Sequence, residues 1–180
     1  MENLNVQTFF ALNQFVGLSG LFDRLIIFFA SYMAYILIVI LVIGIIISNR
    51  PRSEKIKIAI ASVLSGIIGR GILVEVIANF YQLPRPFLTF PDAHRLLLET
   101  SYSFPSRHAT IFFGLSAVIY SYNKKIGIMF FVLSGIMGIA RVMAGVHYPI
   151  DILCGALIGT VVGYMCTIAV ENYSLPHASK

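Results

Sequence analysis

Charge is scarce in this chain. Of its 180 residues only 12% are Asp, Glu, Lys or Arg, while 58% are hydrophobic and the mean hydropathy is +0.85. Soluble domains carry about 25% charged residues, so the composition excludes an ordinary soluble protein and implies an integral membrane one. Cysteine is scarce too: Cys154 and Cys166 share one apolar stretch, where they read as small packing residues rather than a disulfide or metal pair. No small-residue cleavage pattern follows the first apolar run, which is also too long and too far from the N-terminus for a signal-peptide core. It is therefore expected to be a permanent helix. A net charge of +5 raises nucleic acid as a partner, but much of the positive charge sits in short loops between apolar runs. That placement is the mark of membrane topology, not of nucleic-acid binding.

What is present is a series of long apolar segments, at about 22–48, 56–81, 106–122, 126–146 and 150–170. Residues 25–48 alone contain no charge, and at 1.5 Å per residue they reach roughly 36 Å, enough to cross a bilayer with some tilt. The expected fold is all-α: one polytopic helical bundle of five transmembrane helices, forming a single domain over residues 1–180. The stretch "NVQTFFALNQF" places Val6, Phe9, Phe10 and Asn13 at roughly helical spacing and is expected to lie at the interface, with a re-entrant helix as the alternative. The loops "NRPRSEK" and "YNKKIG" concentrate Lys and Arg on one side, which makes that side cytoplasmic. Along the last segment Gly155, Gly159 and Gly163 recur every fourth residue, a pattern that lets a neighbouring helix approach closely.

Span parity then brings four polar clusters to the other side. They are Arg85 in "LPRPF", Ser106, Arg107 and His108 in "FPSRHAT", Arg141 in "IARVMAG", and His147 with Asp151 in "GVHYPID". Ser106 is a natural N-cap, and Pro149 suits the first turn of a helix. Helix N-termini offer unpaired N–H groups and partial positive charge, so two of them with Arg85 and Arg141 describe a phosphate pocket. Asp151, four residues after His147, is placed to accept a hydrogen bond from one ring nitrogen and leave the other free to attack. His108 is then placed to protonate a leaving oxygen. Singly, each feature has a plainer meaning: a snorkelling arginine, a structural histidine, a simple cap. Their shared side and order favour chemistry.

These blocks resemble the type 2 phosphatidic acid phosphatase superfamily. "RPF" at 85–87, "PSRH" at 105–108 and "RVMAGVHYPID" at 141–151 match its three signature blocks in order. The resemblance implies that Arg85, Ser106 and Arg141 bind the phosphoryl group, helped by the backbone at Arg107. It implies that His147 attacks phosphorus, oriented by Asp151, and that His108 protonates the leaving group before activating water. No metal or other cofactor is implied. Ala78 stands where the family has a lysine, Arg107 where glycine is common and Ala140 where serine is common. Arg107 either supplies the missing cation by turning inward or faces lipid headgroups. The short length, "PRPF" and the missing lysine look most like the bacitracin-resistance type of undecaprenyl pyrophosphate phosphatase. That implies removal of the terminal phosphate of undecaprenyl pyrophosphate, at the outer face of the cytoplasmic membrane, for cell-wall synthesis.

Phosphatidate, phosphatidylglycerol phosphate or lipid A phosphate are rival substrates, and an anion or lipid transporter is the rival of another class. Arg70 and Glu75 favour transport, whereas five helices without an obvious repeat argue against common carriers. An arginine inside a span costs about 2.5 to 3.5 kcal/mol on insertion scales. On an ideal helix these two point about 140° apart, so they are not expected to pair with each other. Glu75 is expected to reach toward Arg141 or Arg107. Asp23 and Arg24 are expected to tether the N-terminal helix, and "DAHRLLLET" to lie as an amphipathic lid, with His94 on the surface.

Overall fold

The computed structural model describes residues 4–173. It is all-helical, with no strand among the described residues. Four helices are long and apolar enough to cross a membrane: Gly20–Ile47, Arg52–Thr89, Lys124–Met143 and Pro149–Asn172. We number these spans one to four. The remaining helix, Arg107–Tyr122, coincides with the segment expected at 106–122 but has only 16 residues. It is the central helix of the bundle, with nine of those residues buried.

The first span shows how the sequence chooses its faces. Ile26, Ala30, Met33, Ala34 and Leu37 are buried, while Tyr35, Ile36, Ile38, Val39 and Ile40 are exposed. Spacings of three and four put the first set on one stripe, and the second set forms the surface that meets lipid. Because lipid tails are as apolar as leucine, close packing and interhelical hydrogen bonds must hold such helices together. The glycine stripe supplies the packing. A Cβ on Gly155, Gly159 or Gly163 would collide with the carbonyl of Ser106, Thr110 or Gly114 respectively, so the fourth span lies directly against the central helix's backbone. Ser116 and Ser134, their hydroxyls 3.2 Å apart, add a polar link to the third span.

Two spans depart from α geometry. The first is π-helical over Phe28–Tyr32 and the second over Ile67–Val74. The second span also breaks at Gln82, whose φ of 41° is left-handed, and ends in the short helix Pro86–Thr89.

The N-terminal helix, Leu4–Asn13, has ten residues and is too short to span. Phe9 is fully buried against Tyr148, and Asn13 donates to the carbonyls of His94 and Met143, both at 2.8 Å. Asp23 accepts from the Gly17 N–H at 3.0 Å, fixing the turn into the first span. The stretch "DAHRLLLET" is no amphipathic helix. Leu96 and Leu97 pack into the core beside Val146, and the Leu96 N–H donates to Ala144 at 3.1 Å. The leucines are not spaced for a helix: Leu96 and Leu97 turn inward while Leu98 is exposed, and His94 is exposed, as expected.

Candidate active site

Two helix starts meet at one end of the bundle. Ser106 is the N-cap of the central helix, its Oγ accepting from the Ala109 N–H at 3.4 Å, and Pro149 opens the fourth span. The Ser106 N–H donates to the Asp151 carbonyl at 3.1 Å and locks the two starts together. Between them runs the turn after the third span. Gly145 has a φ of 82°, and a Cβ there would strike the His94 carbonyl, so glycine is required for the chain to turn back and bring His147 inward.

His147 is 2% exposed and Asp151 fully buried. Asp151 Oδ2 lies 3.4 Å from His147 Nδ1 and also accepts from the Tyr148 N–H at 2.8 Å and the Ser103 hydroxyl at 2.5 Å. These bonds fix the carboxylate on one side of the ring. On the other side, Nε2 lies 3.4 Å from both Ser106 Oγ and Arg85 Nη1. Burial lowers the His147 pKa well below its ordinary value, and the charges of Arg141 and Arg85 lower it further. The ring is therefore neutral near pH 7, with its unshared electron pair available.

Arg85 is held by the loop that follows it. Its Nε donates to Ser101 O at 2.7 Å, Nη1 to Val146 O at 2.6 Å and Nη2 to Ser101 Oγ at 3.0 Å. Arg141 donates to Ala30 O at 3.0 Å and to Glu99 Oε1 at 2.6 Å, while its buried Nε has no partner among the described residues. A guanidinium has five N–H donors, so Arg141 keeps several for a ligand. The Ala30 carbonyl belongs to the π-helical turn of the first span, where i→i+5 bonding changes which carbonyls are free.

Glu99 is a site residue that sequence reasoning missed. It bonds Arg141 and lies 3.7 Å from Arg85, bridging the two cations. Burial alone would raise its pKa, but the Arg141 hydrogen bond and charge, with Arg85, hold it below the usual carboxylate range. It is ionised and balances charge that would otherwise repel. Ser101 and Ser103 were missed as well. The available signal was an acid in a loop facing three arginines, since buried cations need counter-charges.

Arg107 turns inward, as one of its two expected orientations has it, and lines the site cavity, but its charge is already paired. Its Nε and Nη2 donate to the two oxygens of Glu75 at 2.8 and 2.9 Å, so the side chain is held in an ion pair and is not directed at an anion. Glu75 thus meets Arg107, one of its two expected partners, and not Arg141. The π-helix also changes the Arg70–Glu75 relation. With i→i+5 bonding, residues five apart fall nearly above one another, so the 140° separation of an α-helix does not apply.

A cavity of about 550 Å³ has a polar lining of Arg70, Arg85, Glu99, Arg107, His108, Arg141 and His147. Its apolar lining comes from Ala34, Tyr35, Ile38, Ile111 and Phe112. The arrangement suits an anionic head carrying an apolar tail.

The chain is 30% identical to the bacitracin transport permease protein BcrC of Bacillus licheniformis, over 89% of this chain and 77% of that one. It is 27% identical to the undecaprenyl-diphosphatase BcrC of Bacillus subtilis (strain 168), over 90% and 82%. The crystal structure of Aquifex aeolicus LpxE superposes with a TM-score of 0.75 at 28% identity, covering 96% of this chain and 97% of that one. The PAP2 superfamily profile matches residues 59–174, which includes every polar cluster of the site, and the chain belongs to that superfamily of membrane phosphatases.

Proposed function

We propose that the protein hydrolyses the terminal phosphate of an isoprenoid lipid diphosphate, undecaprenyl diphosphate being the reading its relatives favour. The observation that carries it is the two-sided environment of His147: carboxylate at Nδ1, and at Nε2 Ser106 and Arg85, the latter lining the cavity with His147 itself. With its proton on Nδ1 toward Asp151, Nε2 attacks the terminal phosphorus. The bond between that phosphorus and the bridging oxygen breaks, its electron pair goes to the lipid phosphate, and His108 delivers a proton to it. Water, deprotonated by His108, then attacks the phosphohistidine and releases inorganic phosphate. Arg85, Arg141, Ser106 and the first N–H groups of the central helix hold the equatorial oxygens throughout. Positioning and electrostatic stabilisation are the main catalytic contributions in such transfers.

The tail lies along Ile38, Ile111 and Phe112, within the apolar part of the cavity. The site faces away from the cytoplasm. Supporting this, Arg50, Lys55 and Lys57 cluster with Tyr122 and Glu171 at the end of the bundle opposite His147, in keeping with the positive-inside rule.

Phosphate release in detergent with a chelator present is the deciding assay. A polyprenyl diphosphate is expected to outrun phosphatidate and phosphatidylglycerol phosphate in kcat/KM, with activity unchanged by the chelator. Loss of activity on chelation would refute the metal-free mechanism. Topology is tested by Thr89→Cys in a background lacking Cys154 and Cys166. Labelling is expected from outside intact cells, and labelling from the cytoplasm alone reverses the orientation.

A further inference from the structure

Arg70 has no role in the chemistry above, yet it is an arginine inside a membrane span. Such a residue costs several kcal/mol unless something in the bundle uses it. Its position follows from the π-helical segment Ile67–Val74, the kind of local irregularity that recurs at functional sites. Gly69, next to it, packs on the central helix: a Cβ there would sit 3.1 Å from the Thr110 methyl. The backbone therefore runs close beside the start of that helix, and Arg70 lines the same cavity as His108.

The charges along this wall are unevenly matched. Arg107 is paired through two hydrogen bonds with Glu75. Glu99 bridges Arg85 and Arg141. Among the described residues no hydrogen bond or ion pair engages the Arg70 guanidinium, although its charge reaches both Glu75 and His108. Four arginines thus line the cavity: Arg85 and Arg141 share Glu99, Arg107 is held by Glu75, and Arg70, within electrostatic reach of His108, keeps its charge for a ligand. A diphosphate ester has two phosphates to match these cations: a terminal one to be attacked at His147, and one bearing the tail. When the bridging bond breaks, negative charge grows on the second phosphate, and a fixed cation there is stabilising in the transition state.

We propose that Arg70 is the binding subsite for the phosphate that stays on the lipid, and that it makes the enzyme select diphosphates over monophosphates. The inference rests on the diphosphatase reading. It assigns Arg70 an anionic ligand of stated chemistry, a phosphate monoester carrying a long apolar chain.

The test compares wild type with Arg70→Gln, Arg70→Met and Arg70→Lys on a polyprenyl diphosphate and on phosphatidate. Removing one charged hydrogen-bonding partner is expected to lower kcat/KM for the diphosphate by roughly 10- to 100-fold. Phosphatidate turnover should change by less than about threefold, and Arg70→Lys should keep most of the selectivity. Two neutral variants with detergent melting temperatures measured alongside separate misfolding from lost recognition. Equal losses on both substrates in a variant that melts like wild type overturn the subsite, as does unchanged diphosphate turnover in both neutral variants. A wild type without preference for the diphosphate refutes the diphosphatase reading itself, whatever the variants do.

Discussion

The two ends of the bundle use the same kinds of side chain under opposite conditions. At one end Lys57 and Glu171 pair at 2.8 Å, the Tyr122 hydroxyl donates to Glu171 at 2.6 Å, and Arg50 bonds Glu54 and the Tyr122 carbonyl. Glu171 is 43% exposed there, Arg50 and Lys57 each have an acidic partner, and Lys55 donates to the Ile46 carbonyl. At the other end Arg85 and Arg141 are each 2% exposed, share a single carboxylate, and leave Arg141 Nε without a partner. Asp151 Oδ1 is likewise buried and unpaired. An exposed cluster whose charges are paired or solvated fastens helix ends and offers little to a ligand. An under-matched buried one is costly in the empty protein and gains when an anion arrives, because buried unpaired donors and charges are expensive to leave unmet.

The contrast is broken most severely at His147. His147→Ala is expected to abolish turnover, a fall of roughly 10³-fold or more if the nucleophile is removed. Phosphate release by the purified variant at the wild-type rate would mean that another group attacks. Asp151→Asn should come next. The amide keeps an acceptor for the Tyr148 N–H but no longer fixes the Nδ1 proton by charge, so kcat should drop roughly 100-fold or more. A drop confined to KM would count against an orienting role.

A subtler difference is in the pH profile. The attacking form of His147 is the neutral ring, and burial together with Arg141 and Arg85 holds its pKa below the ordinary value. A lowered pKa means protonation only at more acidic pH. The acid limb of kcat/KM should therefore lie below about pH 6.5, the ordinary histidine value. A limb at or above that pH, assigned to His147 by its absence in a phosphohistidine-trapping assay, would contradict the neutral ring.

How much of this was legible in the sequence differs between the same two parts of the site. The cap at Ser106, the first-turn Pro149 and the His147–Asp151 spacing are local features. Each depends on a few consecutive residues and stands as the sequence implied. Arg85 and Arg141 converge because span parity brings them to one end, which apolar run lengths also reveal. Glu99, Ser101 and Ser103 were hidden because an irregular loop has no periodicity from which to infer direction. The loop "DAHRLLLET" was misread for the same reason, its leucines suggesting a face that no helix provides. Arg70 and Glu75 do not pair with each other and Glu75 meets Arg107, as expected, but the 3.6-residue period behind that expectation gives way to a wider turn. Nothing in "IIGRGILV" announces that change, except two glycines that weaken α preference.

The smallest effect is expected at the matched end, and it is the control for the whole comparison. Glu171→Gln removes the charge that holds Lys57 and weakens the acceptor of the Tyr122 hydroxyl, but all three groups have water within reach. Exposed pairs of this kind contribute about 0 to 1 kcal/mol, because the separated ions are nearly as well solvated and two long side chains regain their freedom. The melting temperature in detergent should therefore move by no more than a few degrees, and less at high salt, where such pairs are already screened. Diphosphate turnover should stay within about twofold of wild type, since no part of the cavity is lined by these residues. A large loss of activity with an unchanged melting temperature would mean that the two ends are coupled through the central helix, whose Arg107 and Tyr122 ends join both clusters. The division between a fastening end and a reacting end would then have to be abandoned.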